Sequence, residues 1–342
     1  MGSAVIKTIQ IGFGYWGPNL ARNVEAHETF ELCGIVDLAP ANRNKATAAY
    51  PNIPVLENSD RIFSDDSIDA IVVSTPAGTH FSLCKTALEA GKHCLVTKPV
   101  TTTSADAQIL ANLATAKGLC FLVDHTFLYS PAVRAIKSAI RHGDIGKSLY
   151  FESIRTGLGI FKDDANVVED LAIHDLAIID FLFDEPPEAV CCQAFSNFSD
   201  FEPNLSYLTL SYASGFVAHV NSHWLSPIRQ RQVIVAGDKK MLHWDDTKTQ
   251  DKVMLADCGL EFENVAPIPG RAPVNYRNNG STALSLDNKE PLAAELDDFY
   301  QAITKKEKPV ADVHSAVRVM KTLEAAQHSI RAKGLVTPVN LK

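Results

Sequence analysis

A lysine closing a short apolar run, Lys98 in Val96-Thr97-Lys98-Pro99, is one of two features best suited to moving a proton. The other is a histidine four residues after an aspartate, in Asp170-Leu171-Ala172-Ile173-His174. A lysine that ends a parallel strand points into the crevice at the carboxyl edge of its sheet, where ligands bind. Desolvation there favours the neutral, basic amine, whereas the ammonium form stabilises a developing alkoxide. Histidine accepts protons near neutral pH. On a helix the four-residue spacing sets Asp170 and His174 on one face, so the aspartate either orients the imidazole or binds a ligand hydroxyl. The same pair also fits a helix cap followed by a core histidine. Together these groups suit the oxidation of an alcohol, in which oxygen loses a proton and carbon loses a hydride. His174 is the expected general base, with Lys98 holding the same hydroxyl; the reverse assignment is open.

The hydride needs an acceptor, and the N-terminal residues supply a site for one. Gly12-Phe13-Gly14-Tyr15-Trp16-Gly17 is a G-x-G-x-x-G fingerprint between an apolar strand and a helix. Its first glycine allows a tight turn, its second lets the backbone approach a pyrophosphate, and its third packs helix on strand. The helix N-terminus adds N–H groups and a positive dipole end. Asp37, twenty residues beyond Gly17, ends the second strand, where a carboxylate accepts ribose hydroxyls and repels a 2′-phosphate. The expected cofactor is therefore NAD, although Arg43 nearby is of the type that accommodates NADP. Ser74-Thr75-Pro76, His80 and Thr97 fall at further strand ends or just beyond them, and either line the cofactor cleft or form its turns.

The elements that must position these groups alternate through the first third of the chain. Strands are expected over 5–11, 31–36, 70–74, 93–96 and 119–123, with helices over 16–27, 39–50, 78–90 and 104–117. Such alternation means right-handed βαβ units and a parallel sheet covered on both faces. Beyond Asp124 the pattern changes to helices over 131–142 and 170–183. Alternating strands follow over 189–195, 205–212, 217–223, 232–236 and 241–245, the signature of an antiparallel sheet. Pro267–Leu286, rich in Pro, Gly, Asn and Ser, reads as loop, and helices over 291–304 and 314–332 close the chain. The expected fold class is α/β. It comprises a Rossmann dinucleotide-binding domain (1–125), an α/β domain with an open, mostly antiparallel sheet (126–311), and a C-terminal helix and tail (312–342) packing back near the first domain.

Composition narrows the partners. A formal net charge of -8 argues against nucleic acid and anionic membranes. No apolar run is long enough to span a bilayer, and no secretory signal opens the chain, so the expected location is the cytoplasm. Seven cysteines without a C-x-x-C pair read as buried free thiols. Asp163, Asp164, Glu169, Asp170 and His174 are irregularly spaced for metal ligation, and no metal is expected.

Taken in order, Gly12–Gly17, Ser74-Thr75-Pro76 with His80, Thr97-Lys98-Pro99 and Asp170–Asp175 resemble the glucose–fructose oxidoreductase / inositol dehydrogenase family over nearly the whole chain. That resemblance implies the two-domain fold above, NAD, and dimers or tetramers formed through the open sheet. The family's Glu-Lys-Pro stands here as Thr97-Lys98-Pro99, with the carboxylate replaced. Three further stretches, Gly14–Leu20, Phe127–Val133 and Arg155 with Glu169–Leu176, resemble the branch that oxidises nucleotide-linked amino sugars at C3. UDP-N-acetylglucosamine 3-dehydrogenases are of this kind. The branch implies a small-molecule nucleotide-sugar substrate, with transamination of the keto product in lipid A or polysaccharide biosynthesis. Arg155, Lys162, Arg229 and Arg231 are then candidates for the diphosphate, and Tyr129 for the sugar. The competing readings are a keto-sugar reductase, a uronate or inositol-type dehydrogenase, and a non-catalytic NAD sensor.

Overall fold

The computed structural model describes residues 5–159, 161–162, 165–198, 202–262, 270 and 274–341. The chain divides into two compact units, Met1–Tyr129 with Lys289–Met320, and Ser130–Asn288 with Lys321–Lys342.

The first unit begins with β1 (Ile6–Ile11), α1 (Gly17–Ala26), β2 (Phe30–Val36), α2 (Pro40–Ala49), β3 (Val55–Leu56) and β4 (Ala70–Val73). It continues through α3 (His80–Glu89), β5 (His93–Thr97), α4 (Ser104–Lys117) and β6 (Phe121–Asp124). All six strands are parallel, in the order β3-β2-β1-β4-β5-β6. The order reverses between β1 and β4, so the loops after these two strands diverge and leave a ligand crevice. β4 is buried along its whole length, as a strand covered on both faces must be. Local signals set the helix limits: Thr103 caps α4 by accepting the Asp106 N–H, and Gly118 ends it at φ 64°.

The second unit contains α5 (Pro131–His142), β7 (Ser148–Leu158), α6 (Ile173–Leu182), β8 (Ala189–Phe195), β9 (Leu205–Ser211) and β10 (Val217–His223). After them come β11 (Leu225–Gly237), β12 (Met241–Asp245), β13 (Val253–Phe262) and β14 (Val274–Ala283). Its nine-stranded sheet runs β14-β13-β12-β11-β7-β10-β9-β8 and ends on β15 (Thr337–Pro338). Only the β10–β7 pair is parallel among the described pairings, so the sheet is mostly antiparallel as expected. In β10 the inward positions Ala218, Val220 and Ser222 are buried, while Val217 on the other face is 40% exposed.

Several strands, β13 among them, are not marked in the sequence. Residues 274–283 of the expected loop form strand β14, an edge strand so exposed that it shows no burial alternation. β7 was hidden because its inward face carries Ser153 and Arg155 while Tyr150 points outward, an inverted polarity pattern. The last helices are shared between the two compact units. Helix α7 (Pro291–Lys305) clusters with the first unit, where Phe299 stacks on Phe30 at 6.0 Å and Glu290 pairs with Arg22. Helix α8 (Val313–Arg331) crosses the division, and residues from 321 onward cluster with the second unit. All seven cysteines are free thiols; Cys84, Cys94 and Cys192 are buried and the rest half-buried. Among the described residues no helix is long and apolar enough to cross a membrane.

Candidate active site

The fingerprint loop leaves β1 and enters α1 within six residues, and its shape is dictated by backbone proximity. Gly12 has φ +98°, and a Cβ there would lie 2.4 Å from the Ser74 carbonyl oxygen. At Gly17 a Cβ would meet the Gly12 carbonyl oxygen at 2.6 Å. At Gly14 a Cβ would meet nothing within 4 Å, so this glycine borders open space where a pyrophosphate can approach the chain. The loop is tied from below by Gln10, a fully buried strand residue whose Nε2 donates to Gly12 O at 2.8 Å and Gly17 O at 2.9 Å. Ser74 Oγ donates to Gly12 O at 2.7 Å. The sequence marked Ser74 but not Gln10; a lone amide inside the run Ile6–Ile11 was the available signal.

Asp37 is oriented by three donors: Phe13 N at 2.7 Å, Ala39 N at 2.8 Å and Asn42 Nδ2 at 3.1 Å. The Arg43 guanidinium donates to the carbonyls of Asp37 and Leu38 and lies 3.7 Å from Glu57. It is thus engaged by oxygen atoms of the protein, which favours a ribose hydroxyl over a phosphate at Asp37. Phe13 turns its ring into the core, Tyr15 is 88% exposed, and Trp16 donates its indole N–H to Asp124 at 2.6 Å. The glycine cradle and the α1 N-terminus fit the diphosphate of a dinucleotide, and the acceptor at Asp37 fits its ribose.

Lys98 follows β5 directly and is half-buried. Around it stand two histidines. His80, 1% exposed, places one ring nitrogen 2.8 Å from the Pro99 carbonyl and the other 2.7 Å from the Thr75 carbonyl. It thereby ties the turn after β4 to the turn carrying Lys98. Burial lowers its pKa, with the two carbonyls pulling the other way. Thr97 Oγ1 lies 3.5 Å from His80 Nε2. The sequence did not single out His125. Thr97 pairs with Asp124 across β5 and β6, so His125 follows its strand as Lys98 follows its own. Burial, then the Lys98 charge, pushes the His125 pKa down to about 4. Tyr129, expected near the sugar, is a core residue 2% exposed; its hydroxyl donates to Asp298 at 2.7 Å and accepts from Ala311 N.

In the second unit the expected helix over 170–183 starts as a π-helical turn, Val168–Ala172, before α6 begins. Such turns are rare and concentrate at functional sites. Asp170 lies in this turn, and His174 sits half-buried in the first turn of α6. Lys162 Nζ donates to Asp170 Oδ1 at 2.6 Å, and Trp224 Nε1 donates to Oδ2 at 3.3 Å. Arg155 is buried in a bidentate pair with Asp175 at 2.9 and 3.0 Å, which commits its fork to joining β7 to α6. Arg231 pairs with Arg155 across β11 and β7. Burial, then the charges of Arg155 and Arg229, lowers the Arg231 pKa against the pull of Asp246 3.7 Å away. The arginines therefore share one positive field. Asp163 and Asp164 lie outside the described residues; among those described, no three His, Cys, Asp or Glu side chains group to hold a metal.

Comparison with known proteins identifies the family. The model of the oxidoreductase family with an NAD-binding Rossmann fold matches residues 6–125, and its C-terminal alpha/beta domain matches residues 137–341. The chain belongs to the Gfo/Idh/MocA oxidoreductase family. It is an NAD-dependent oxidoreductase. A curated relative, the UDP-N-acetylglucosamine 3-dehydrogenase of Acidithiobacillus ferrooxidans, is 26% identical over 318 residues, covering 92% of this chain and 94% of the relative. The D-apiose dehydrogenase of Paraburkholderia graminis is also 26% identical, over 64% of this chain and 61% of that protein. Among solved structures, GenD2 from gentamicin A biosynthesis in complex with NAD superposes with a TM-score of 0.81 at 21% identity, covering 98% of this chain and 97% of that one. At that identity the likeness speaks for the fold alone.

Proposed function

We propose that the protein oxidises the C3 hydroxyl of a nucleotide-linked amino sugar, with UDP-N-acetylglucosamine the first choice. The observation that carries this reading is the arginine group of the second unit. Arg231 faces Arg155 across the strands and feels Arg229, a cationic setting that a diphosphate neutralises and a free sugar does not require. The near full-length likeness to a UDP-N-acetylglucosamine 3-dehydrogenase supports it.

NAD, when bound, supplies the hydride acceptor. Gly12, Gly14, Gly17 and Asp37 hold it, with Ser74, Thr75 and His80 shaping the edge beside it. Lys98 binds and polarises the sugar hydroxyl, and His174 takes its proton. Asp170, kept in place by Lys162 and Trp224, receives a neighbouring sugar hydroxyl. Arg229 and Arg231 take the diphosphate, while Arg155 supports them from its pair with Asp175. The outward face of the second unit's sheet, where Tyr150 (37% exposed), Tyr207 (43%) and Val217 (40%) stand on β7, β9 and β10, supports a homo-oligomer formed through it.

The test is NADH formation with UDP-N-acetylglucosamine, its uronate, UDP-glucose, inositol and free aldoses, with removal of the keto product. Turnover on the UDP-amino sugar that vanishes in Lys98→Ala is the expected result. In Arg231→Gln, KM rises about tenfold with kcat retained. Turnover on free sugars alone points to the activity named for the apiose relative and overturns the nucleotide-sugar reading.

A further inference from the structure

Glu295, on α7, is 0% exposed, and as a carboxylate neither of its oxygens meets a donor among the described residues. Its neighbour is another buried acid, Asp124, at the end of β6 and 3% exposed. Two buried carboxylates side by side have no solvent and no counter-charge to separate them. A carboxylic acid at 295 removes the conflict, because its own proton supplies the donor that the contact lacks. Burial, then the Asp124 charge, holds the Glu295 carboxyl well above the usual range, in keeping with that geometry. Asp298 and the Tyr129 hydroxyl also stand near it, and those two are bonded to each other.

Asp124 has further work. Its Oδ2 accepts the indole N–H of Trp16 at 2.6 Å, and its Oδ1 accepts the Thr126 N–H at 3.1 Å as well as the Thr126 hydroxyl. Trp16 directly precedes Gly17 and stands at the N-cap of α1, the helix end that faces a dinucleotide diphosphate. The Asp124–Trp16 hydrogen bond therefore ties the strand end beside Glu295 to the fingerprint loop.

We infer that Glu295 is a positioning residue for NAD: as a neutral acid it donates to Asp124, and so fixes Trp16 and the entrance of α1. The cofactor edge is thus completed by a residue from the C-terminal part of the chain that touches no cofactor atom. This rests on the NAD-binding first unit alone and is independent of the proposed substrate.

Glu295→Leu keeps the bulk and removes the donor; Glu295→Gln keeps a neutral donor. NAD affinity is measured by calorimetric titration. The indole N–H signals, with Trp16 assigned from Trp16→Phe, are followed by ¹⁵N NMR without cofactor. Glu295→Leu is expected to weaken NAD binding about tenfold and to move the Trp16 signal, while Glu295→Gln stays within about twofold of wild type on both readouts. Combining Trp16→Phe with Glu295→Leu adds little to either single change, since both break one chain of contacts. NAD binding by Glu295→Leu within about twofold of wild type overturns the inference, as do additive effects in the double variant. Should the leucine variant not fold, Glu295→Gln decides: an unmoved Trp16 signal with retained affinity supports the neutral acid, and a moved signal with lost affinity overturns it.

Discussion

The cofactor edge of the first unit and the polar row of the second are made of different materials. At Gly12, Gly14 and Gly17 the determinant is space: backbone atoms 2.4 and 2.6 Å from where a side chain would begin, and an opening at the middle glycine. At Arg155, Asp175 and Arg231 it is charge, a buried ion pair beside a half-buried guanidinium. A site built by fit tolerates almost no variation in residue type. A region built by charge tolerates many arrangements with the same sum.

The largest separation of the two regions is expected at Arg155. Arg155→Met strands the buried Asp175 carboxylate and costs roughly 3–5 kcal/mol of stability, read by denaturant unfolding. Adding Asp175→Leu recovers most of that loss, because the cost is an unpaired charge. If the double variant remains as unstable as the single one, the pair is a packing device and the contrast fails. In the first unit, Gly12→Ala costs about 3 kcal/mol from the left-handed φ and the collision with Ser74, and removes NAD binding. Gly14→Ala leaves the apoprotein's stability unchanged and weakens NAD binding only. Equal destabilisation by both would show that the open space at Gly14 is already filled.

A smaller effect, confined to acid, comes from His125. Its folded pKa of about 4 lies below the ordinary value of 6.5, so protonation opposes folding. The stability the neutral imidazole allows is whole above pH 6.5 and is lost as pH falls toward 4, by about 3 kcal/mol at most. His125→Gln flattens that part of the stability profile. A profile unchanged by the substitution would mean that burial beside Lys98 does not hold this ring neutral.

The contrast also explains what was legible in the chain. The parallel sheet, NAD and the glycine roles follow from local rules, because each depends on residues within one βαβ unit. The cause of Asp124 being buried beside Trp16 was not legible, since its partner Glu295 lies more than 150 residues away and α7 reads as an ordinary amphipathic helix. β14 was missed because an exposed edge strand buries neither face. For Arg155 the sequence shows only a guanidinium, whereas its commitment to Asp175 depends on the docking of α6 on β7. Tyr129 reads from the sequence as a sugar contact or a core aromatic, and its core placement depends on a partner, Asp298, on α7.

The most direct test of the proposed chemistry is deuterium transfer. UDP-N-acetylglucosamine deuterated at C3 is incubated with the protein and NAD, and the reduced cofactor is analysed by mass spectrometry. NADH carrying one additional deuterium, formed by wild type and absent in Lys98→Ala, is the expected result. NADH formed without deuterium would place the oxidised carbon elsewhere on the sugar, and no NADH from a protein that binds NAD would contradict the substrate itself.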